Sequence, residues 1–238
     1  MRLSICVLTV PSREEQARRL ALELGASLHI DHYESPSKAH ANAWFNALAD
    51  VFGTEGWEDS WVGVVEDDAI LADGATRDDL LAMLREAPTD IVSGYLGRAR
   101  PADAQPLIDQ ALKQDPHYLV TYRLLHHVAV FARAKHAADI ASYLRKYSKF
   151  PCDEALGLWA QSAGLPIAYS VPSQFDHMDS EPVILGRTVT GNPQEPRIAW
   201  VFGDRDDWGQ ERTQLLDQPT VNRYGKRFPA ARRPAQPA

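Results

Sequence analysis

The chain has 238 residues, of which 45% are hydrophobic and 24% charged, with a formal net charge of −7. It is long enough to bury a substantial core, and its acidity argues against broad coating of nucleic acid while leaving room for a local basic patch. Two distant cysteines, Cys6 and Cys152, argue against a disulfide framework or a cysteine zinc site and for a reducing, cytoplasmic setting.

The first residues, MRLSICVLTV, lack the long apolar core and cleavage site of a leader and read as a strand buried on both faces. Pro11 ends it. Ser12-Arg13-Glu14-Glu15 has the form of a capping box and predicts a helix to Leu24, stopped by Gly25. SLHIDHY predicts a second strand. The spacing of Ala41, Trp44, Phe45 and Leu48 predicts a helix from Ser37 to Phe52. WVGVV is the third strand and runs directly into Glu66-Asp67-Asp68. Thr76 opens a further helix, and Asp90 to Gly94 is a strand. GRARPADAQP reads as a loop. Tyr118–Thr121 and Val128–Phe131 follow as strands, Arg133–Lys146 and Pro151–Ala163 as helices, and Ile167–Val171 as a last strand. Beyond His177, Pro182, Gly186, Gly191, Pro193 and Pro196 interrupt any regular pattern, and the end of the chain reads as mobile. No apolar run reaches membrane-spanning length.

The alternation predicts an α/β fold with a mostly parallel sheet flanked by helices. We expect a single domain over 1–203, in halves 1–100 and 101–203, followed by an extension over 204–238. Ligands bind such sheets beyond the carboxyl ends of their strands, which is where Glu66-Asp67-Asp68 falls. Hard divalent cations such as Mg²⁺ and Mn²⁺ take oxygen ligands there, with phosphates completing the shell. If the strand continues, Glu66 and Asp68 share a face about 7 Å apart and Asp67 takes the other. A turn would draw them closer. A bare acidic turn in water is the plain alternative. GxGxxG, GxxxxGK[ST], GxSxG and HExxH patterns are missing, which disfavours dinucleotide, P-loop, serine-hydrolase and zincin chemistry.

VVEDDAIL resembles the Asp-x-Asp-type motif of GT-A-fold glycosyltransferases, in the EDD form of the lipopolysaccharide and collagen-type enzymes. The resemblance spans Leu3 to Asp179 in order of elements and implies a metal-dependent transfer of a sugar from a nucleotide diphosphate, UDP favoured, to a hydroxyl. It implies Mn²⁺ or Mg²⁺ at Asp68, with His177 completing the shell. It implies donor contacts from Thr9, Pro11, Arg13, Asp31, Lys38, Asn42, Glu66 and Asp67. Asp153 or Glu154, at a helix start, would be the general base of an inverting reaction; the helix dipole alone also favours acids there. His126, His127 and Arg98, with Arg100 nearby, are possible acceptor contacts. Arg223, Lys226, Arg227, Arg232 and Arg233, interleaved with Tyr224 and Phe228, suit a nucleic-acid backbone, so a hydroxylated pyrimidine in DNA is one acceptor class and a glycan or protein another. A non-catalytic nucleotide-sugar-binding module and a nucleotidyltransferase remain the alternatives.

Overall fold

A computed structural model describes residues 1–32, 35–98, 101–178 and 196–216. Among them a large mixed sheet is built from β1 (Leu3–Thr9), β2 (Ser27–Ile30), β3 (Trp61–Glu66), β5 (Ile91–Ser93), β6 (Tyr118–Thr121), β7 (Ala129–Arg133), β8 (Ile167–Ser170) and β10 (Thr213–Leu215). Their spatial order is β10-β6-β8-β5-β7-β3-β1-β2. β2, β1, β3, β5 and β8 run one way; β7, β6 and β10 run the other. The expected α/β sheet with flanking helices is present, with antiparallel β7 inserted between β3 and β5. A separate two-stranded ribbon pairs β4 (Ala69–Leu71) with β9 (Phe175–His177).

Side-chain parity organises the core, because successive residues of a strand point to opposite faces. Leu3, Ile5 and Val7 of β1, with Trp61 and Val65 of β3, pack with α1 (Glu14–Leu24) and α3 (Arg77–Arg85). Cys6, Leu8, Val62 and Val64 face the opposite layer, formed by α2 (Pro36–Ala49), α4 (Gln105–Leu112), α5 (Ala134–Lys146) and α6 (Cys152–Ser162). Both faces are therefore buried, which accounts for the near-continuous apolar runs of β1 and β3.

Several local expectations need correction. The Ser12 capping box does not form: Pro11–Arg13 makes a 3₁₀ turn, and α1 starts at Glu14 with no side-chain cap. A reciprocal box forms at α3 instead, where Thr76 and Asp79 exchange hydrogen bonds. The loop-like GRARPADAQP leads into α4 at Gln105. Residues 204–216, expected within a C-terminal extension, belong to the body of the fold. β10 pairs with β6, and Trp208 is buried against Tyr118, with ring centroids 5.4 Å apart. Asp179, Arg100, the interruptions from Pro182 to Pro193 and the basic segment from Arg223 to Arg233 lie outside the described residues. Among those described, no helix is long and apolar enough to cross a membrane.

Gly63 sits mid-β3, directly upstream of the acidic turn. A Cβ there would lie 2.3 Å from Cδ1 of the fully buried Phe131. Gly63→Ala is expected to destabilise the protein by about 1–3 kcal/mol through overpacking, read as a lower urea midpoint at unchanged slope.

Candidate functional site

The carboxyl ends of the parallel strands β1, β2 and β3 share one rim of the sheet, with Leu8 opposite Glu66 and Thr9 opposite Ile30. The chain enters β7 at the same rim, where the Glu66 amide donates to the Val128 carbonyl. Strand parity then separates the three acids. Glu66 continues the even series of β3 and turns toward α2 and α6. Asp67 continues the odd series and turns toward β1 and α1. The strand ends at Glu66, Asp67 and Asp68 form a turn, and Asp68 shares Arg13 with Asp67 and faces His177.

Asp67 is buried and compensated. Its Oδ2 accepts from Thr9 Oγ1 at 2.6 Å, and its Oδ1 accepts from Arg13 Nη1 at 3.1 Å. Gln16 Nε2 donates to its backbone carbonyl at 2.7 Å. Burial raises its pKa against the pull of Thr9 and Arg13. The same Arg13 nitrogen reaches Asp68 Oδ2 at 3.2 Å, so one guanidinium serves two carboxylates. His177 Nε2 stands 3.4 Å from that Asp68 oxygen. Burial would raise the Asp68 pKa as well, but His177 and Arg13 outweigh it and hold it below the ordinary value. The β4–β9 ribbon builds this pair: Ala69 lies opposite His177, and the Met178 amide donates to the Asp68 carbonyl. Asp68 Oδ1 and His177 Nδ1 are buried with no hydrogen-bond partner among the described residues.

Glu66 meets groups that sequence reasoning missed. His40, on the inner face of α2, places Nε2 3.0 Å from Glu66 Oε1, while its Nδ1 lies 2.7 Å from the Pro36 carbonyl. A carbonyl only accepts, so Nδ1 carries a proton. Cys152, the first residue of α6, completes a group with His40 and Glu66 whose ligand atoms all lie within 4.8 Å of one another. Burial depresses His40, yet Cys152 and Glu66 carry it well above its ordinary value; burial raises Glu66 and Cys152.

The other expected residues are distributed as follows. Asp153 and Glu154 follow Cys152 on the first turn of α6, and Asp153 Oδ1 accepts the Glu154 amide at 2.8 Å. Asp31 follows β2, its amide bonded to the Thr9 carbonyl, and exposed Pro11 begins the turn that aims Arg13. Lys38 and Asn42 are not on the inner face of α2. Lys38 is exposed, and Asn42 accepts from Arg145 of α5 at 2.6 Å. Of the adjacent histidines, His126 packs edge-on against Tyr95, whose ring is also 6.2 Å from that of His177. His127 turns the opposite way, onto His40 and Trp44. Arg98 is exposed and lies over the Trp200 ring. A cavity of about 370 Å³ lined by Arg2, Ser4, Asp50 and Arg77 opens at the amino end of β1, the wrong end for this rim.

Comparison of the chain with protein-family models gave no match, and comparison with curated proteins gave none.

Removing Arg13 strands two largely buried carboxylates. With chelator present, Arg13→Ala is expected to cost about 3 kcal/mol at pH 7. Asp68 has a folded pKa below its unfolded value. Its stabilisation is therefore present above the unfolded pKa and fades as pH falls through the folded one. Asp67, raised, has the opposite sign: its cost at neutral pH is relieved on protonation. The difference between variant and parent should therefore shrink as pH falls through the carboxylate range, measured by urea unfolding across pH.

Proposed function

We propose that this chain is a metal-dependent glycosyltransferase that moves a sugar from a nucleoside diphosphate, UDP favoured, to an acceptor hydroxyl. The observation that carries the reading is the meeting of Asp68 and His177. They are far apart in sequence and lie 3.4 Å apart at a strand-end rim, each with a buried polar atom lacking a partner among the described residues. A carboxylate and an imidazole suit Mn²⁺, and Mg²⁺ with water and phosphate completing its shell. When bound, such a cation supplies Lewis-acid stabilisation of the departing diphosphate.

The chain's own residues have distinct tasks in this reading. Asp68 and His177 hold the cation. Asp67 is saturated by Thr9 and Arg13, so its task is to fix the turn and aim the guanidinium. Arg13 offers positive charge beside the developing diphosphate. Pro11 and Asp31, on neighbouring strand ends, flank the nucleoside. Asp153 or Glu154 takes the acceptor proton as the new bond to the anomeric carbon forms, giving inversion. The GT-A assignment draws support from the parallel β2-β1-β3 unit that ends at the acidic turn. The acceptor class stays a pyrimidine hydroxyl in DNA, a glycan or a protein hydroxyl.

Purified protein with Mn²⁺ should release nucleoside diphosphate from one member of a UDP- and GDP-sugar panel, and chelator should stop it. Asp68→Ala should lower kcat/KM by about 10²–10³-fold, the equivalent of several kcal/mol of lost charge stabilisation. Replacing the true base among Asp153 and Glu154 should cost about 10²–10⁴-fold. Binding without release would point to a non-catalytic module, and pyrophosphate release to a nucleotidyltransferase. An Asp68→Ala protein as fast as the parent sinks the reading.

A further inference from the structure

Glu66 leaves the acidic turn on the opposite side of the sheet from Asp67, and the company it keeps there differs in chemistry. Oxygen, nitrogen and sulfur converge: Glu66 Oε1, His40 Nε2 and Cys152 Sγ, all within 4.8 Å of one another. We propose that His40, Glu66 and Cys152 form a second, structural metal site for Zn²⁺, closed by His127 as fourth ligand.

Four observations carry the assignment. First, the Nδ1–H of His40 is committed to the Pro36 carbonyl at 2.7 Å, which fixes the tautomer with Nε2 toward Glu66. A backbone carbonyl behind a ligating imidazole is the common outer-shell arrangement of metal sites. Second, His40 Nε2 and Glu66 Oε1 at 3.0 Å need a proton or a metal cation between them. A proton on His40 can serve Glu66 and Cys152 in turn, whereas one cation would serve all three groups at once. Third, His127 is buried with 4% exposure, neither ring nitrogen has a partner among the described residues, and its ring centroid is 4.3 Å from that of His40. A bare imidazole in that position is costly unless it is spent on a ligand. Fourth, tetrahedral zinc places its ligand atoms roughly 3.3–3.7 Å apart. The His40–Glu66 separation of 3.0 Å is close to that range, and Cys152 Sγ lies within 4.8 Å of both atoms.

The ligand set selects the metal. Thiolate and imidazole disfavour Mg²⁺ and Ca²⁺, and a mixed Cys-His-carboxylate shell suits zinc. A thiolate, a carboxylate and two neutral imidazoles exactly offset one Zn²⁺, so the loaded site buries no net charge. On loading, the thiol proton and the proton held between His40 and Glu66 leave to solvent. The sequence argument against a cysteine zinc site rested on the lack of paired cysteines and does not reach a site with one. The ion would pin α2, the end of β3 and the start of α6 together. This inference does not depend on the glycosyltransferase reading.

The test uses the full chain, freed of metal and titrated with Co²⁺ and Zn²⁺. The expected result is one equivalent of Co²⁺ giving a thiolate-to-metal charge-transfer band and the intense visible bands of a four-coordinate site, displaced by Zn²⁺. Cys152→Ser should lose the charge-transfer band, His127→Phe should bind Zn²⁺ at least about 10-fold more weakly, and Asp68→Asn should keep the band, separating this site from the other. Co²⁺ binding by the parent without a thiolate band overturns the proposal, even if the variants fail to fold. So does an unchanged zinc affinity in folded Cys152→Ser.

Discussion

Three consecutive carboxylates cannot share one buried environment, since each would need its own compensation and each repels the next. β3 resolves this with backbone geometry. Strand parity sends Glu66 to one face of the sheet and Asp67 to the other, and the turn gives Asp68 a third surrounding. Each acid then meets a different partner set: His40 with Cys152, Thr9 with Arg13, and Arg13 with His177. The remaining features of the rim, including the helix starts and the β4–β9 ribbon, are arranged around this division.

The division also explains why one rim can carry two unlike chemistries. On the α1 side the atoms offered are oxygens, a guanidinium and an imidazole. On the α2 and α6 side they are a thiol, imidazoles and a carboxylate. The adjacent His126 and His127 repeat the pattern, one turning to Tyr95 and the other to His40. A two-sided buried sheet makes such segregation simple, because neighbouring residues in sequence are separated by the thickness of the backbone.

Much of this was legible in the sequence, and the limits have physical causes. Long apolar runs mark β1 and β3, and their parity is fixed once both faces are buried. Thr9, Arg13, Asp67, Asp68 and His177 were expected at one site, and the fold brings them together. The β4–β9 ribbon was not visible, because strands of three residues carry too little periodicity. α4 was hidden by the Pro- and Ala-rich segment before it. The resemblance pointed to Lys38 and Asn42 on α2, yet burial on α2 follows Ser37, His40, Ala41 and Trp44. The signal for His40 was its place on the apolar stripe. Cys152 gave no signal beyond lying at a helix start, since a lone cysteine is ordinarily packing material.

The double duty of Arg13 has one more consequence. Its guanidinium already neutralises Asp68 as the protein stands. A dication drawn there would enter an occupied partnership and have to displace or crowd a resident positive charge, so loading would be an ion exchange. The same contact braces the rim and would compete with any cation drawn to Asp68. Under the proposed function, affinity at this position would be tuned by an arginine outside the metal's shell.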